Sequence, residues 1–498
     1  MKKILIISAA WMSFVFTSCK KNFLDKNPND QIASETFWNT EADVKMGLTG
    51  IYHVMRDRTT FNHGRMLWDG LTDIAYTKQY PSIAPGIIEP TSGSIVANVY
   101  NDCYVGISRA NIFLTNADKA PMADANRTMY KAEAYFLRAY FYFILTEFYG
   151  GVPLYTTPVT IAESQVKQST KEVVVAQILQ DVEKAVAGLP NTAYTGHAVK
   201  GSALALKAQV LMHNNKWAES AAAANEIITS AKFSLYNDYQ KLFLTEGQEN
   251  NPEIIFSVRF LKPDAPMITN NDHNPDLIGA HGHSLSALKK FVDEFEATDG
   301  LPISQSPLYN PANYKLNRDP RLKYNVRDEN EKMIVNGAPY NGESWTTPYS
   351  IEKYVNWKNA PYSFETRSDQ DYIIFRYAQV LVMYAEAKNE ATGPDASVYA
   401  AINAVRARPT VNMPPLPAGL DKDAMRARIR HERIVELGME GLRYWDLKRW
   451  KIAETVIPTV VDPSGIKRVF NPAKHYLFPF TQSERDRNPN LDQNPGYN

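Results

Sequence analysis

Hydrophobic residues recur at helical spacing along much of the chain, most regularly in residues 127–149. Apolar side chains follow one another there at intervals of three or four residues: Ala134, Leu137, Phe141, Leu145 and Phe148. This spacing places them on one face of an α-helix. Gly150, Gly151 and Pro153 are typical of a helix end. Aromatic residues occupy the other faces as well, so we expect this helix to be buried on more than one side.

The same period returns in other stretches, and most of the helices it predicts fall into pairs. Helices at 200–214 and 216–230 are joined near Asn215, and small residues such as Ala205 and Ala222 would let them pack closely. This arrangement is similar to a tetratricopeptide repeat, a helical hairpin that needs neighbouring hairpins to bury its core. The other predicted helices span about 39–55, 95–118, 171–188, 373–391, 395–408, 421–437 and 442–453.

The last pair includes residues 428–450, which carry many charges of both signs. Gly438 and Gly441 are expected to mark the turn between its two helices. His431 and Glu432 match the start of a helical zinc-protease motif, but Val435 stands where that motif needs its second histidine. Glutamate and arginine side chains three and four residues apart favour ion pairs instead. We therefore expect a scaffold element here and no metal site.

Helical periodicity is absent from two long stretches, residues 57–95 and 231–372. Both are rich in aromatic residues and prolines, and the second contains short strand-like runs such as residues 253–260. We expect a mainly α, single domain at 39–498, in which a helical scaffold (about 39–56, 95–230 and 373–453) supports two irregular insertions. A tail at 454–498 is expected to wrap around it. Long irregular insertions in a compact domain are usually functional.

The first residues have the features of an export signal. Lys2 and Lys3 precede an apolar run at 4–16, which is too short to span a bilayer comfortably. Small residues then precede Cys19, a pattern typical of a bacterial lipoprotein. We predict a signal peptide at 1–18, lipid attachment to Cys19 and a tether at 19–38. The second cysteine, Cys103, would then have no partner within the chain.

Composition narrows the functional classes. Apolar residues make up 44% and charged residues 22% of the 498 residues, as in an ordinary globular protein. Basic and acidic residues are equal at 54 each, so the net charge gives no support to nucleic-acid binding. After the signal, the sequence contains no run of 18 apolar residues that would span a membrane.

Several segments from the signal to the C-terminus resemble the SusD/RagB family. They are NFLDKNP (22–28), AEAYFLRAYFYFILTEFYGGVPL (132–154), NRDPRL (317–322), YAQVLVMYAEAKNEA (377–391), AINAVRARP (401–409), HERIVELGMEGLRYWDLKRW (431–450) and YLFPFTQSERDRNPNLDQNPGY (476–497). The resemblance implies about four tetratricopeptide-like hairpins in a right-handed scaffold against an irregular, loop-rich half with short strands.

The resemblance also implies a function. Members of this family are outer-membrane lipoproteins, exposed on the cell surface. They capture nutrients, usually glycans, and deliver them to a TonB-dependent transporter of the SusC type. Some capture oligopeptides, as RagB-like members do, so a peptide ligand is the alternative. A secreted glycosidase and a pure protein-interaction scaffold are further alternatives.

A sugar presents an apolar face and a rim of hydroxyls, which aromatic rings and polar side chains can bind. The insertions supply both kinds of residue. The candidate ligand residues are Trp68, Asp69, Asp73, Tyr76 and Tyr80 in the first insertion, and Trp345, Tyr349 and Trp357 in the second.

Signals for catalysis and metal binding are weak. The chain has neither a G-x-S-x-G nucleophile motif nor a G-x-x-x-x-G-K-[ST] phosphate loop. His281 and His283 have no nearby cysteine or carboxylate to complete a zinc site. Asp272, Asn274 and Asp276 alternate like a calcium loop, but the glycine and closing glutamate of that loop are missing. We predict no catalytic residue, no metal and no cofactor.

Overall fold

The structure is a computed structural model that describes residues 37–262, 278–279, 284–332, 334–339, 345–361 and 367–497. Most of the predicted helices are present within one or two residues of the expected bounds. The longer helices are α1 (Glu41–Asp57), α2 (Ile95–Asn116), α3 (Asp124–Tyr149), α4 (Lys171–Gly188), α5 (Lys200–His213), α6 (Trp217–Thr229), α9 (Tyr377–Thr392), α10 (Ala396–Arg406) and α11 (Lys422–Leu437). The shorter ones are α7 (Lys289–Glu294), α8 (Arg321–Asn325), α12 (Arg443–Arg449), α13 (Ala453–Val456) and α14 (Gln482–Arg487).

The helices form a continuous scaffold. From α1 to α6 each helix packs against the next one in the chain, and α9 then packs against α6, α10 and α11. The predicted mainly α class is confirmed. The assignment of the hairpins to the tetratricopeptide type stays a prediction.

Helix α3 lies at the centre of this scaffold. Every side chain from Phe136 to Tyr149 is buried, which confirms the expected burial on several sides. Its one deeply buried cation, Arg138, donates to both carboxylate oxygens of Asp181 on α4 at 2.7 and 2.8 Å. A buried charge needs such a partner, since leaving it unpaired costs several kcal/mol.

The predicted helix at 373–391 starts too early. Tyr372–Arg376 is strand β8, and the helix begins only at Tyr377. Strand β8 pairs antiparallel with β2 (Ile254–Val258), the strand expected at 253–260. Ile373, Ile374 and Phe375 are β-branched or aromatic, and such residues favour a strand when a partner strand is available.

A small sheet joins the two irregular insertions. Its strand order is β1 (Ala75–Thr77), β3 (Leu285–Ala287), β7 (Tyr349–Ile351) and β4 (Val326–Asp328), all paired antiparallel. Strand β1 comes from the first insertion and the other three from the second. A separate pair is formed by β5 (Ile334–Val335) and β6 (Ala338–Pro339).

The turn predicted at Gly438 and Gly441 is confirmed. Gly438 caps α11, and α12 begins two residues after Gly441. Gly441 has a φ of +71°, and a Cβ atom there would lie 2.3 Å from the carbonyl oxygen of Arg65. Only glycine fits this close approach without strain, which brings the last hairpin against a 3₁₀-helix of the first insertion, His63–Leu71.

A buried network of charges, which we call the Glu436 network, binds the second insertion to the scaffold. The Glu436 carboxylate of α11 accepts hydrogen bonds from Arg321, Arg376 and Arg408 at 2.7 to 3.0 Å. Further carboxylates surround the same guanidinium groups. The other members are Glu253, Asp319, Lys353, Glu432 and Glu440. All of these side chains are at most 5% exposed.

Within the described part of the chain, no helix combines the length and the apolar character needed to cross a membrane.

Candidate functional site

The sheet that joins the insertions places one row of residues side by side. Tyr76 pairs with Ser286, Ser286 with Ser350, and Ser350 with Arg327. Directly paired residues point to the same face of a sheet, so Tyr76 and Arg327 share one face, about 14 Å apart at the usual strand spacing. Ser350 donates to the carbonyl oxygen of Gly279, so the middle of this row is covered.

Two predicted tryptophans meet at the Arg327 end of the row. The guanidinium carbon of Arg327 lies 5.1 Å from the ring centre of Trp345 and 5.3 Å from that of Trp357. Both indoles are partly exposed, whereas Arg327 is buried at 3%. A guanidinium group this close to two aromatic rings is held by cation–π attraction of about 0.5–2 kcal/mol for each ring. It therefore fixes the two indoles relative to each other.

Glu352 completes the group, which we call the Arg327 cluster (Arg327, Trp345, Glu352 and Trp357). It accepts a hydrogen bond from Nε of Arg327 at 3.3 Å and another from the indole Nε1 of Trp357. Burial raises the pKa of Glu352 to about 7, although Arg327 and Trp357 oppose this shift. The carboxyl group thus orients Trp357 and changes its own charge near neutral pH.

The raised pKa of Glu352 predicts a pH-dependent stability. The folded protein holds a proton on Glu352 between its ordinary pKa of 4.5 and about 7, so stability is lost as the pH rises through this window. From pH 5 to 8, the free energy of unfolding of the wild type should fall by about 2 kcal/mol more than that of Glu352→Gln. Urea unfolding at several pH values measures this. Asp69 and Asp371 also have raised pKa values, but they are present in both proteins. Parallel pH profiles would contradict the prediction.

Tyr349 belongs to a different group. It alternates with Ser350 along β7 and so points to the face of the sheet opposite Arg327. Its ring packs edge-on against Tyr314 at 5.9 Å, and the Tyr314 hydroxyl donates to Asp328 at 2.8 Å. The structure therefore separates Tyr349 from the two tryptophans with which it was predicted to act.

The aromatic candidates of the first insertion differ in exposure. Trp68 is only 1% exposed, and its ring packs against Phe148 and Trp445 with centres 5.0 and 5.3 Å apart. Tyr80 is 7% exposed and lines a cavity of about 90 Å³ with Trp68. Tyr76 is partly exposed. Trp68 thus packs into the core, and the open space that it borders is the small cavity it shares with Tyr80.

The two aspartates of the first insertion hold the last hairpin in place. Asp69 accepts hydrogen bonds from the backbone N–H groups of Gly441 and Arg443, and burial raises its pKa to about 7. Burial would also raise the pKa of Asp73, but Arg443 and Lys290 outweigh it and lower that pKa to about 2. The Arg443 guanidinium donates to both oxygens of Asp73, at 2.9 and 3.0 Å. The hydrogen bonds of both carboxylates therefore come from the protein itself, and their burial needs no bound ligand to explain it.

Several sequence predictions fall outside the described residues. They concern Cys19, the histidine pair His281 and His283, and the possible calcium loop at Asp272, Asn274 and Asp276. Among the residues that are described, no group of three or more histidine, cysteine or acidic side chains is arranged to hold a metal ion. His431 bonds through Nε2 to the carbonyl oxygen of Glu294 at 2.7 Å.

Sequence reasoning missed Arg327 and Glu352. Neither residue stands in a motif, and their partners Trp345 and Trp357 are up to 30 residues away in the chain. The contact between Glu352 and Trp357 could have been anticipated, because the two residues are only five positions apart, on either side of a turn.

Comparison with known proteins shows that two family models and a relative of similar length match this chain. The model described as "SusD family" matches residues 252–497, and the one described as "Starch-binding associating with outer membrane" matches residues 22–212. SusD-like protein P38 from Formosa agariphila is 28% identical over all of both chains.

Solved structures share the fold. A SusD-like carbohydrate binding protein from Bacteroides fragilis superposes with a TM-score of 0.81 at 26% identity, covering 92% of this chain and 100% of its own. A laminarin binding SusD-like protein superposes with a TM-score of 0.72 at 24% identity and the same coverage. The two matching models, the full-length relative and the shared fold lead to one conclusion: the chain belongs to the SusD family.

Proposed function

We propose that this protein captures an oligosaccharide at the Arg327 cluster and delivers it to a TonB-dependent transporter of the SusC type. The carrying observation is the pair of partly exposed indoles, both of which contact the guanidinium group of Arg327. Rigid aromatic faces suit the apolar face of a sugar ring, because little conformational entropy is lost on binding.

The comparisons support the ligand class. One relative of known structure is described as a carbohydrate binding protein and is 26% identical to this chain. The description of the N-terminal family model names starch binding at the outer membrane. A binding role agrees with Glu352, because its carboxyl group accepts hydrogen bonds from Arg327 and Trp357, whereas glycoside hydrolysis needs two carboxyl groups that flank the scissile bond.

A binding titration tests the proposal. The purified chain is titrated by calorimetry with glucose oligosaccharides of different linkage, including laminaritriose and maltotriose, and with short peptides. We expect heat of binding with at least one oligosaccharide and no release of reducing sugar. Binding of peptides alone would favour oligopeptide capture. Release of reducing sugar would instead identify a glycosidase.

The proposed attachment of lipid to Cys19 has its own test. In cells, Cys19→Ala should abolish incorporation of labelled fatty acid and release the protein from the membrane fraction, because a stable anchor needs the acyl chains. Cys103→Ala is the matched control, since this thiol is buried in the folded chain. Unchanged membrane retention of Cys19→Ala would contradict lipid anchoring.

A further inference from the structure

A second cleft lies on the helical scaffold and shares no residue with the Arg327 cluster. It has a volume of about 620 Å³, within the usual range of about 300–1,000 Å³ for small-molecule sites. Its walls come from α2, from the segment at 155–164 and from α14. Neither the predicted ligand residues nor the proposed capture site accounts for it.

Three tyrosines form the aromatic wall of this cleft. The ring centres of Tyr100 and Tyr104 are 4.6 Å apart, and those of Tyr104 and Tyr155 are 5.8 Å apart. The Tyr104 hydroxyl donates to the carbonyl oxygen of Pro153, and that of Tyr155 to Ser164, both at 2.6 Å. These bonds fix the rings of Tyr104 and Tyr155 before any ligand arrives, so binding costs little side-chain entropy.

Polar and charged groups stand around the aromatic wall. Asn101, Ser108 and Thr157 are exposed at the cleft and can exchange hydrogen bonds with hydroxyl groups. Glu484 and Arg487 of α14 also line it, but they neutralise each other at 2.7 Å. Arg109 lines the cleft as well and adds a positive charge. The exposed hydroxyl and amide groups of the rim favour a ligand that is rich in hydroxyls.

The carbonyl groups of residues 155–157 in the cleft wall already accept hydrogen bonds. Asn111 donates to the carbonyl oxygens of Tyr155 and Thr157 at 3.0 and 3.1 Å, and Arg138 donates to that of Thr156 at 2.9 Å. The N–H of Tyr155 donates to the hydroxyl of Tyr142 at 2.7 Å. An extended peptide that binds by strand addition needs both free carbonyl groups and free N–H groups along an edge, and the carbonyl oxygens of residues 155–157 are already engaged.

We propose that this cleft is a second binding site for a short oligosaccharide. One sugar ring stacks on the tyrosine wall, and its hydroxyl groups bond to Asn101, Ser108 and Thr157. The site is independent of the Arg327 cluster. It therefore lets one protein hold a longer glycan at two points or two short ones separately, which raises the retention of weakly bound sugar.

The test removes the first site and then fills the second. Saturation-transfer NMR is recorded for the full mature chain carrying Trp345→Ala and Trp357→Ala, with maltotriose, cellotriose and laminaritriose as probes. We expect signal from at least one sugar. Adding Ser108→Trp should reduce this signal about tenfold or more, because the indole fills the cleft. Thr115→Trp, at an exposed position on the same helix outside the cleft, is the matched control and should leave it unchanged.

The outcomes separate the two sites. Absence of signal from all three sugars in the double-tryptophan background, or signal that survives Ser108→Trp, would overturn the second site. Signal from trialanine in place of sugars, lost with Ser108→Trp, would overturn the saccharide class. In contrast, the capture site fails if Trp345→Ala and Trp357→Ala leave the sugar affinity of the chain unchanged while Ser108→Trp alone abolishes it.

Discussion

Replacing Glu436 by glutamine is expected to lower the free energy of unfolding by about 3–5 kcal/mol. Glu436 is fully buried and its carboxylate contacts Arg321, Arg376 and Arg408. Glutamine cannot supply the negative charge that these three guanidinium groups share in a site that water does not reach, so their desolvation cost is no longer fully offset. Urea unfolding of the purified proteins measures the difference.

Asp423→Asn is the matched control for this change. Asp423 lies on the same helix and also pairs with an arginine, but its side chain is 85% exposed. An exposed pair contributes about 0–1 kcal/mol, so this variant should be close to the wild type. Equal effects of the two substitutions would show that the Glu436 network does not hold the second insertion to the scaffold.

The pKa of Glu436 determines how its contribution to the free energy of unfolding depends on pH. Burial would raise this pKa, but Arg376, Arg408 and Arg321 outweigh it and lower it far below the ordinary range. A lowered pKa gives stability that is present at neutral pH and is lost only in strong acid. The difference between wild type and Glu436→Gln should therefore be constant across neutral pH, in contrast to the effect at Glu352.

Trp345→Ala and Trp357→Ala are each expected to weaken binding of the best oligosaccharide by about 10- to 100-fold, or about 1.4–2.7 kcal/mol. Each substitution removes one aromatic face and one of the two rings that contact the Arg327 guanidinium group. Calorimetric titration measures the affinity. Trp217→Ala changes a partly buried tryptophan at the start of α6 and serves as the control, which should bind as the wild type does.

Helices were predictable from the sequence because their signals are local. The apolar stripe of α3 and the glycines at 438 and 441 can be recognised from a short stretch of consecutive residues. Strand β8 was missed because its partner β2 lies more than 100 residues earlier in the chain. A run such as Ile373–Phe375 suits a strand or a buried helix, and only the partner decides between them.

The candidate site was only partly predictable, because burial depends on distant contacts. Trp68 and Trp357 are the same residue type in similarly irregular surroundings, yet Trp68 packs on Trp445 while Trp357 stays partly exposed. From the sequence, Asp73 is a candidate sugar ligand. In the fold, both of its oxygens accept hydrogen bonds from Arg443, which lies 370 residues later in the chain. Sequence therefore indicates which residue types can bind a sugar, and the fold decides which of them remain accessible.

The central claim is that the Arg327 cluster holds the captured sugar. It is tested most directly by a crystal structure of the mature chain soaked with the oligosaccharide that binds best in titration. We expect a sugar ring in van der Waals contact with the indoles of Trp345 and Trp357, with the Glu352–Trp357 hydrogen bond retained. An ordered oligosaccharide bound elsewhere on the protein, with both indoles bare, would contradict the claim.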